Sequence, residues 1–279
     1  MKRILTIQDI SCLGKCSLTI ALPVLSAMGI ETVILPTALL SNHTLFPEYT
    51  KLDLEDQMMP TALMWKKNGV HFDAIYTGYL GSVTEIEKTA AIIDLFREKD
   101  TIVFVDPVMG DNGKLYRGFS DDYAERNALL CAKADIVVPN ITEACLMTGI
   151  SYRESYDESY LNELVSRLCG MGAGMAVITG ASLAEGRTGV YGMDARTGEV
   201  FTYQNDKIST SYHGTGDLFA STAAGALLRG FSVSEAMKIA ADHTADTIRV
   251  TMENPGNPWY GVDFESTIPD LIRKLGPKQ

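Results

Sequence analysis

The run His213-Gly214-Thr215-Gly216-Asp217 combines residue types and spacing that suit the chemistry of an anion. Gly214 and Gly216 let the backbone turn tightly and expose its N–H groups. The stretch behind them, Leu218 to Leu228, is rich in Ala and Leu with small residues between, and reads as a buried helix. The first N–H groups of a helix have no internal partner, and the helix dipole adds partial positive charge there. Such an end suits a phosphoryl group. Asp217 is then out of place, because a carboxylate repels what this end should hold. Two readings stay open. Asp217 is either a first-turn acid that favours the helix dipole, or a general base that takes a proton from a hydroxyl while the loop holds the phosphoryl group in transit.

The elements that must position this loop are legible as alternating apolar runs. Ile4 to Ile7 is a short strand ending at Gln8-Asp9, and Leu18, Ala21, Leu22 and Leu25 recur with helical spacing around Pro23. Thr32 to Leu35, Ala74 to Thr77, Ile102 to Val105, Ile136 to Val138 and Ala176 to Thr179 are further strands. Helical stretches lie between them: Asp53 to Asn68, one opened by a Ser82/Glu85 capping box, and one marked by Leu161, Leu164, Val165 and Leu168. Val190 to Met193 and Val200 to Tyr203 form a hairpin. Ser232 with Glu235 caps a later helix, and Ile268 to Leu275 is the last one. Strand-helix-strand repetition without a repeat or linker predicts one α/β domain over residues 1–279, with a mostly parallel sheet.

In open α/β sheets, ligands bind beyond the carboxyl ends of the strands. Polar residues gather at those ends here: Gln8-Asp9, Gly78-Tyr79, Asp106 and Asp111, Asn140 and Glu143, Thr179-Gly180, then the glycine loop. Taken singly, Asn140 with Glu143 is also a helix cap, and Asp106-Pro107 a turn starter. Taken together they fit phosphoryl transfer to an alcohol. Asp111 and Glu143 are candidates to hold Mg²⁺, directly or through its waters, since Mg²⁺ prefers oxygen and keeps several waters. Gly14-Lys15-Cys16-Ser17 is not a P-loop, because Asp9 stands where a glycine is needed and Cys16 replaces the Mg²⁺-binding hydroxyl. Cys12 and Cys16 lack the further ligands that zinc requires.

A formal net charge of −11 argues against a nucleic-acid surface or an anionic membrane as partner. The apolar run after Met1-Lys2-Arg3 stops too early for a signal peptide, and no run approaches a membrane span. An odd set of five cysteines fits reduced thiols in the cytoplasm.

Asp106-Pro107-Val108-Met109-Gly110-Asp111, Asn140-Ile141-Thr142-Glu143 and Gly214-Thr215-Gly216-Asp217 follow one another as in ribokinase-like vitamin kinases. Within these, Ser41-Asn42-His43-Thr44, Thr77-Gly78-Tyr79-Leu80-Gly81-Ser82 and Ile7-Gln8 resemble the pyridoxal/pyridoxamine kinases. The resemblance spans roughly the first 230 residues. It implies a ribokinase-like three-layer sandwich, usually a homodimer, that phosphorylates the 5′-hydroxymethyl group of vitamin B6 with ATP and Mg²⁺, often helped by K⁺. By motif, Asp217 would be the base, with Gly214, Thr215 and Gly216 as the anion hole. Asp106, Asn140, Thr179 and Thr215 would lie along ATP, with Asp111 and Glu143 around Mg²⁺. Thr44 and Tyr79 would contact the pyridine ring, and Tyr116 would sit on a loop covering the phosphates.

Several residues depart from the pattern. Asp9 and Ile10 stand where Ser and His are usual, so Asp9 is expected to bear on the choice among vitamers. His213 replaces an apolar residue and could meet the ring, and the Lys15-Cys16-Ser17 loop is one residue short. The rival functions are a hydroxymethylpyrimidine kinase and a non-catalytic vitamer-binding protein on the same scaffold.

Overall fold

Residues 1–210 and 212–276 are described in the computed structural model of the chain. The strands are β1 (Arg3–Leu13), β2 (Glu31–Asn42), β3 (Lys51–Asp53), β4 (Ala74–Thr77), β5 (Ile102–Val105), β6 (Gly110–Asp111), β7 (Lys114–Leu115), β8 (Ile136–Val137), β9 (Met175–Ala181), β10 (Arg187–Asp194) and β11 (Val200–Asp206). The helices are α1 (Leu18–Ala27), α2 (Glu55–Lys67), α3 (Val83–Phe96), α4 (Asp121–Cys131), α5 (Ile141–Thr148), α6 (Glu158–Gly170), α7 (Thr215–Leu228), α8 (Val233–Glu253) and α9 (Ile268–Leu275).

Among the described residues, nine strands form one sheet in the order β11-β10-β9-β8-β5-β4-β1-β2-β3. Pairing is parallel from β2 through β1, β4, β5 and β8 to β9, and antiparallel at both margins. Successive side chains of a strand point to opposite faces, and both faces are covered. On one, Leu5, Ile75 and Val103 pack with residues of α2 to α6, such as Met58, Ile92, Ala144 and Leu161. On the other, Ile4, Tyr76 and Phe104 pack with α1, α7, α8 and α9, through Ile20, Leu218, Ala240 and Leu271. The result is the expected three-layer α/β arrangement. In α7, Gly225 leaves room for α1: a Cβ there would lie 2.4 Å from the Met28 sulfur.

The chain runs from β1 outward to β2 and β3, then returns to the other side of β1 with β4. The order of strands therefore reverses between β1 and β4, which is where an open sheet leaves a crevice beyond its carboxyl ends.

Several boundaries differ from the sequence-based expectation. β1 does not end at Gln8-Asp9 but continues to Leu13, paired with β2, which likewise runs on to Asn42. The register shifts between Gln8 and Ile10 because Pro36↔Gln8 and Leu39↔Ile10 leave two β2 residues opposite Asp9. β4 pairs only as far as Thr77↔Ile7, so the β1–β2 ribbon overhangs the sheet, and β3 joins it at Ala38 to Leu40. Pro36 is tolerated within β2 because β3 does not reach it. β9 passes through Gly180, at φ 69°, to Ala181. Pro23 lies inside α1, and α8 extends to Glu253. The Ser82/Glu85 box is only half made: Ser82 accepts the Glu85 N–H, while the Glu85 carboxylate accepts from Gly81 N–H at 2.6 Å. Both halves are present for Asn140/Glu143 and Ser232/Glu235.

Candidate active site

The glycine loop enters α7 at the crevice. Gly214 has φ 84°, and a Cβ on it would lie 2.0 Å from the Lys15 carbonyl, so the position requires glycine on both counts. Gly216 differs, since a Cβ there would meet open space. Leu218 N–H is the first to bond back, to the Gly214 carbonyl at 2.9 Å, so the N–H groups of Thr215, Gly216 and Asp217 precede the helical ladder. The Thr215 hydroxyl donates to the Tyr212 carbonyl at 3.1 Å, which holds its side chain within the loop. Asp217 is half-buried in this first turn. Burial pushes its pKa up to about 7, with Asp9 adding repulsion and the Ser17 N–H pulling the other way. Ser17 caps α1 at φ 49°, a strained conformation for a non-glycine residue, and so sets the loop beside Asp217.

A row of acids continues along the sheet edge. Asp106 follows β5, and its N–H donates to the Thr77 carbonyl at 3.0 Å. Burial raises its pKa well above the ordinary range, and Glu143 and then Asp217 add repulsion. Glu143 is also raised by burial, although N–H groups of Asn140, Met109 and Gly110 oppose the shift. Its Oε1 accepts from Met109 N–H at 3.0 Å and its Oε2 from Asn140 N–H at 2.8 Å. Glu143 therefore clamps the β5–β6 loop to the start of α5. Asn140 is equally engaged: its Oδ1 caps Glu143 N–H, and its Nδ2 donates to the Gly110 carbonyl at 2.8 Å. Asp111 is exposed on the β6–β7 hairpin, where Asn112 donates to both its oxygens. Tyr116, just past this hairpin, is partly exposed, and burial followed by Glu143, Asp111, Asp106 and Asp217 raises its phenol. Thr179 bridges to Asn140, with its N–H on the Pro139 carbonyl at 2.8 Å.

On the other side of Asp217 lies a pocket wall of different character. Asp9 is buried opposite the β2 bulge, where Ser11 Oγ donates to Oδ2 at 3.1 Å. Burial raises its pKa, opposed by Ser17, Ser11 and Lys51. Tyr79 is half-buried with its ring 5.7 Å from Phe119, and burial, then Asp9, push its pKa up to about 12. Thr44 is exposed, whereas its neighbour His43 is buried. The Leu45 N–H donates to His43 Nδ1, so the ring proton sits on Nε2 and is donated to the Tyr260 carbonyl at 3.1 Å. His213 lies 4.4 Å from His43 between ring centroids, and burial lowers its pKa to about 4. Phe46, Trp259 and Tyr260 complete this aromatic group.

The fold thus brings Asp9, Asp106, Glu143 and Asp217 into one electrostatically coupled crevice, with Tyr116 beside them. Sequence reasoning gave no role to His43 or Phe46, named Ser17 only as part of the shortened loop near the substrate, and left the Trp259-Tyr260 pair without a role. The signal for His43 was present in the Ser41-Asn42-His43-Thr44 stretch. For Trp259 and Tyr260 there was none, because they meet His43 only through the returning chain.

A family model for the phosphomethylpyrimidine kinases matches residues 22–259. The chain belongs to this family. It lies within the ribokinase-like superfamily. The sheep (Ovis aries) pyridoxal kinase is 30% identical over 78% of this chain and 75% of its own. A protein from Bacteroides thetaiotaomicron, assigned to the phosphomethylpyrimidine kinases and crystallised with pyridoxal, is 35% identical, with a TM-score of 0.91 over 97% of this chain and 95% of that one. The pyridoxal kinase of Lactobacillus plantarum has a TM-score of 0.90 at 31% identity, over 98% of both chains. The kinase shares their fold over nearly its whole length.

Proposed function

We propose that residues 1–279 form a single kinase domain that transfers the terminal phosphoryl group of ATP to the 5′-hydroxymethyl group of pyridoxal, pyridoxamine or pyridoxine. The observation that carries this reading is the half-buried Asp217 at the N-terminus of α7, with its pKa raised to about 7 beside exposed helix N–H groups. A base poised near the working pH takes the hydroxyl proton efficiently. The N–H groups of Thr215, Gly216 and Asp217 face the charge that develops on the phosphoryl oxygens. The names of the sheep and Lactobacillus relatives, and the pyridoxal in the Bacteroides crystals, support the acceptor class.

Nucleotide falls on the Asp106, Asn140, Thr179 and Tyr116 side, and the vitamer on the Asp9, Tyr79, Thr44 and His213 side. Mg²⁺ fits the first side, because the donors there are oxygens and a cation offsets the burial, and the repulsion added to it, that raise Asp106 and Glu143. Asp111, exposed on its hairpin, is placed to approach such an ion, whereas Glu143, buried with its oxygens on the Met109 and Asn140 N–H groups, serves it through waters. When bound, Mg²⁺ supplies charge neutralisation on the phosphates. K⁺ as an accessory ion is tested by its replacement with Na⁺.

A homodimer is part of the same proposal, supported by Leu39, Leu45, Tyr49, Leu52, Leu63 and Met64, which are exposed on the β2–β3 ribbon, the loop between those strands and α2. A cytoplasmic location agrees with five unpaired cysteines, and among the described residues no helix is long and apolar enough to cross a membrane.

The deciding experiment is a panel of pyridoxal, pyridoxamine, pyridoxine and hydroxymethylpyrimidine with ATP and Mg²⁺. Turnover of one or more B6 vitamers with kcat/KM at least about tenfold above the pyrimidine, a difference of about 1.4 kcal/mol, is expected. A preference for the pyrimidine would assign the rival acceptor, and vitamer binding without ATP turnover would make the protein a binder.

A further inference from the structure

Three acids that the kinase reaction does not use meet near Tyr79. Asp53 ends β3, Glu55 opens α2, and Glu85 lies in the first turn of α3. One carboxylate oxygen from each lies within 4.8 Å of the others, and among the described residues no other group of His, Cys, Asp and Glu is so arranged. That span is about what opposite oxygens have around a cation with bonds near 2.4 Å.

Proximity of acids alone would mean little, but Glu85 adds a separate fact. It is fully buried, with 0% of its surface exposed. Its Oε2 accepts the Gly81 N–H, and its Oε1 has no hydrogen-bond partner. An ionised oxygen buried without a partner is costly and calls for a cation or a proton. The buried Thr37 hydroxyl borders the Glu85 carboxylate and makes no other hydrogen bond. The remaining oxygens are held in place: Asp53 Oδ1 accepts from Glu55 N–H at 2.8 Å, and Glu55 Oε2 from Ser82 Oγ at 2.7 Å.

We infer that Asp53, Glu55 and Glu85 form a site for a hard divalent cation, of which Ca²⁺ is the best fit, distinct from the proposed Mg²⁺ site of the nucleotide. Ca²⁺ accepts several carboxylates at irregular angles and fills the remaining positions with water, whereas Mg²⁺ holds to an octahedron with few protein ligands. Two ammonium groups already border the position. Lys51 Nζ is 3.4 Å from Asp53 Oδ2, and Lys88 Nζ is 3.2 Å from Glu55 Oε1. Lys51 is more than a third exposed on the margin strand, so it can swing outward as an ion enters. The bound ion would tie β3 and the start of α2 to the loop that carries Tyr79.

The test is calorimetric titration of Ca²⁺ into the full chain, free of nucleotide and Mg²⁺, with Asp53→Asn, Glu85→Gln, Asp111→Asn and Lys51→Ala in parallel. One ion per chain is expected, with affinity reduced about tenfold or more by Asp53→Asn and Glu85→Gln and changed less than about twofold by Asp111→Asn. Ca²⁺ should also raise the thermal midpoint of the parent but not of Asp53→Asn. Asp53 is exposed, so this variant keeps the test valid if Glu85→Gln fails to fold. Absence of Ca²⁺ binding to the parent would overturn the inference, as would binding indifferent to Asp53→Asn or lost in Asp111→Asn. Binding that appears only in Lys51→Ala would also overturn it, because the position would then belong to the lysine ammonium.

Discussion

Asp217→Asn separates a catalytic carboxylate from a helix-dipole acid, because the two roles change stability in opposite directions. Asp217 has a folded pKa raised from 3.8 to about 7. A raised carboxylate pKa means that the folded chain holds the proton more tightly than the unfolded chain. Below about pH 4 both are protonated and the group contributes nothing. Between pH 4 and 7 stability falls as pH rises, and above pH 7 the loss is complete. A shift of about three units, at 1.36 kcal/mol each, sets a ceiling of about 4 kcal/mol. Because the group is only half-buried, solvent screening reduces this to about 1–2 kcal/mol. Loss of the first-turn charge costs about 0.3–1 kcal/mol in the other direction. The Asn variant should therefore be more stable than the parent by about 1 kcal/mol at pH 8, or about 2–4 °C in thermal midpoint, and equal to it or slightly less stable near pH 4. Its kcat should fall by about 10²–10⁴, or roughly 3–5 kcal/mol of barrier. In the parent, kcat/KM should drop on acidification through pH 7 as the base takes up its proton. Coupled ATP turnover with pyridoxal from pH 5.5 to 9 and thermal unfolding of the same preparations measure all three. A kcat within about threefold of the parent, a difference of about 0.7 kcal/mol, would refute the base assignment. A less stable variant at pH 8 would refute the electrostatic reasoning.

Tyr79→Ala should raise the vitamer KM with little change in kcat, since ring contact is shared by ground and transition states; an unchanged KM with a large fall in kcat would oppose that role. Asp9→Ser should reorder pyridoxal, pyridoxamine and pyridoxine more than it alters the ATP KM, and should move the acid limb of the pH profile downward, because Asp9 helps to raise Asp217. Gly214→Ala should cost about 1–3 kcal/mol for the left-handed backbone alone, with the approach to the Lys15 carbonyl added, and should abolish turnover; a midpoint and kcat close to the parent's would show the loop to be plastic. Thr44→Ala should raise the vitamer KM modestly, given its exposure, and less than His43→Ala, which releases Tyr260 and should raise it several-fold.

The parallel sheet and the acids at its edge were readable because both depend on local order: apolar runs separated by helical spacing, each ending in a polar residue. The glycine loop was readable for the same reason. What sequence could not give was length where neighbours decide it. β1 runs past Asp9 because β2 stays beside it, not because of anything in Asp9 itself. The roles of Asn140 and Glu143 were seen as alternatives, cap or ligand, and the geometry makes the cap explicit in both directions. Glu85 looked like the second half of a capping box, yet its carboxylate turned one residue earlier, to Gly81, with one oxygen left buried. His43 was passed over for Thr44 because side-chain direction at the end of a strand depends on the segment that covers it, and that segment lies 217 residues away.

That distance bears on the order in which the protein is made. His43 joins Tyr260, and Lys15 joins Glu265 at 2.8 Å, across 250 residues. On the ribosome the amino-terminal strands emerge first, and the partners of these residues follow only after 217 and 250 residues. The proposed nucleotide side of the crevice, built from residues 106 to 179 and the glycine loop, has its pieces before Tyr260 and Glu265 emerge. The acceptor wall does not. The acceptor side of the crevice is therefore the last part of the candidate site that a growing chain can complete.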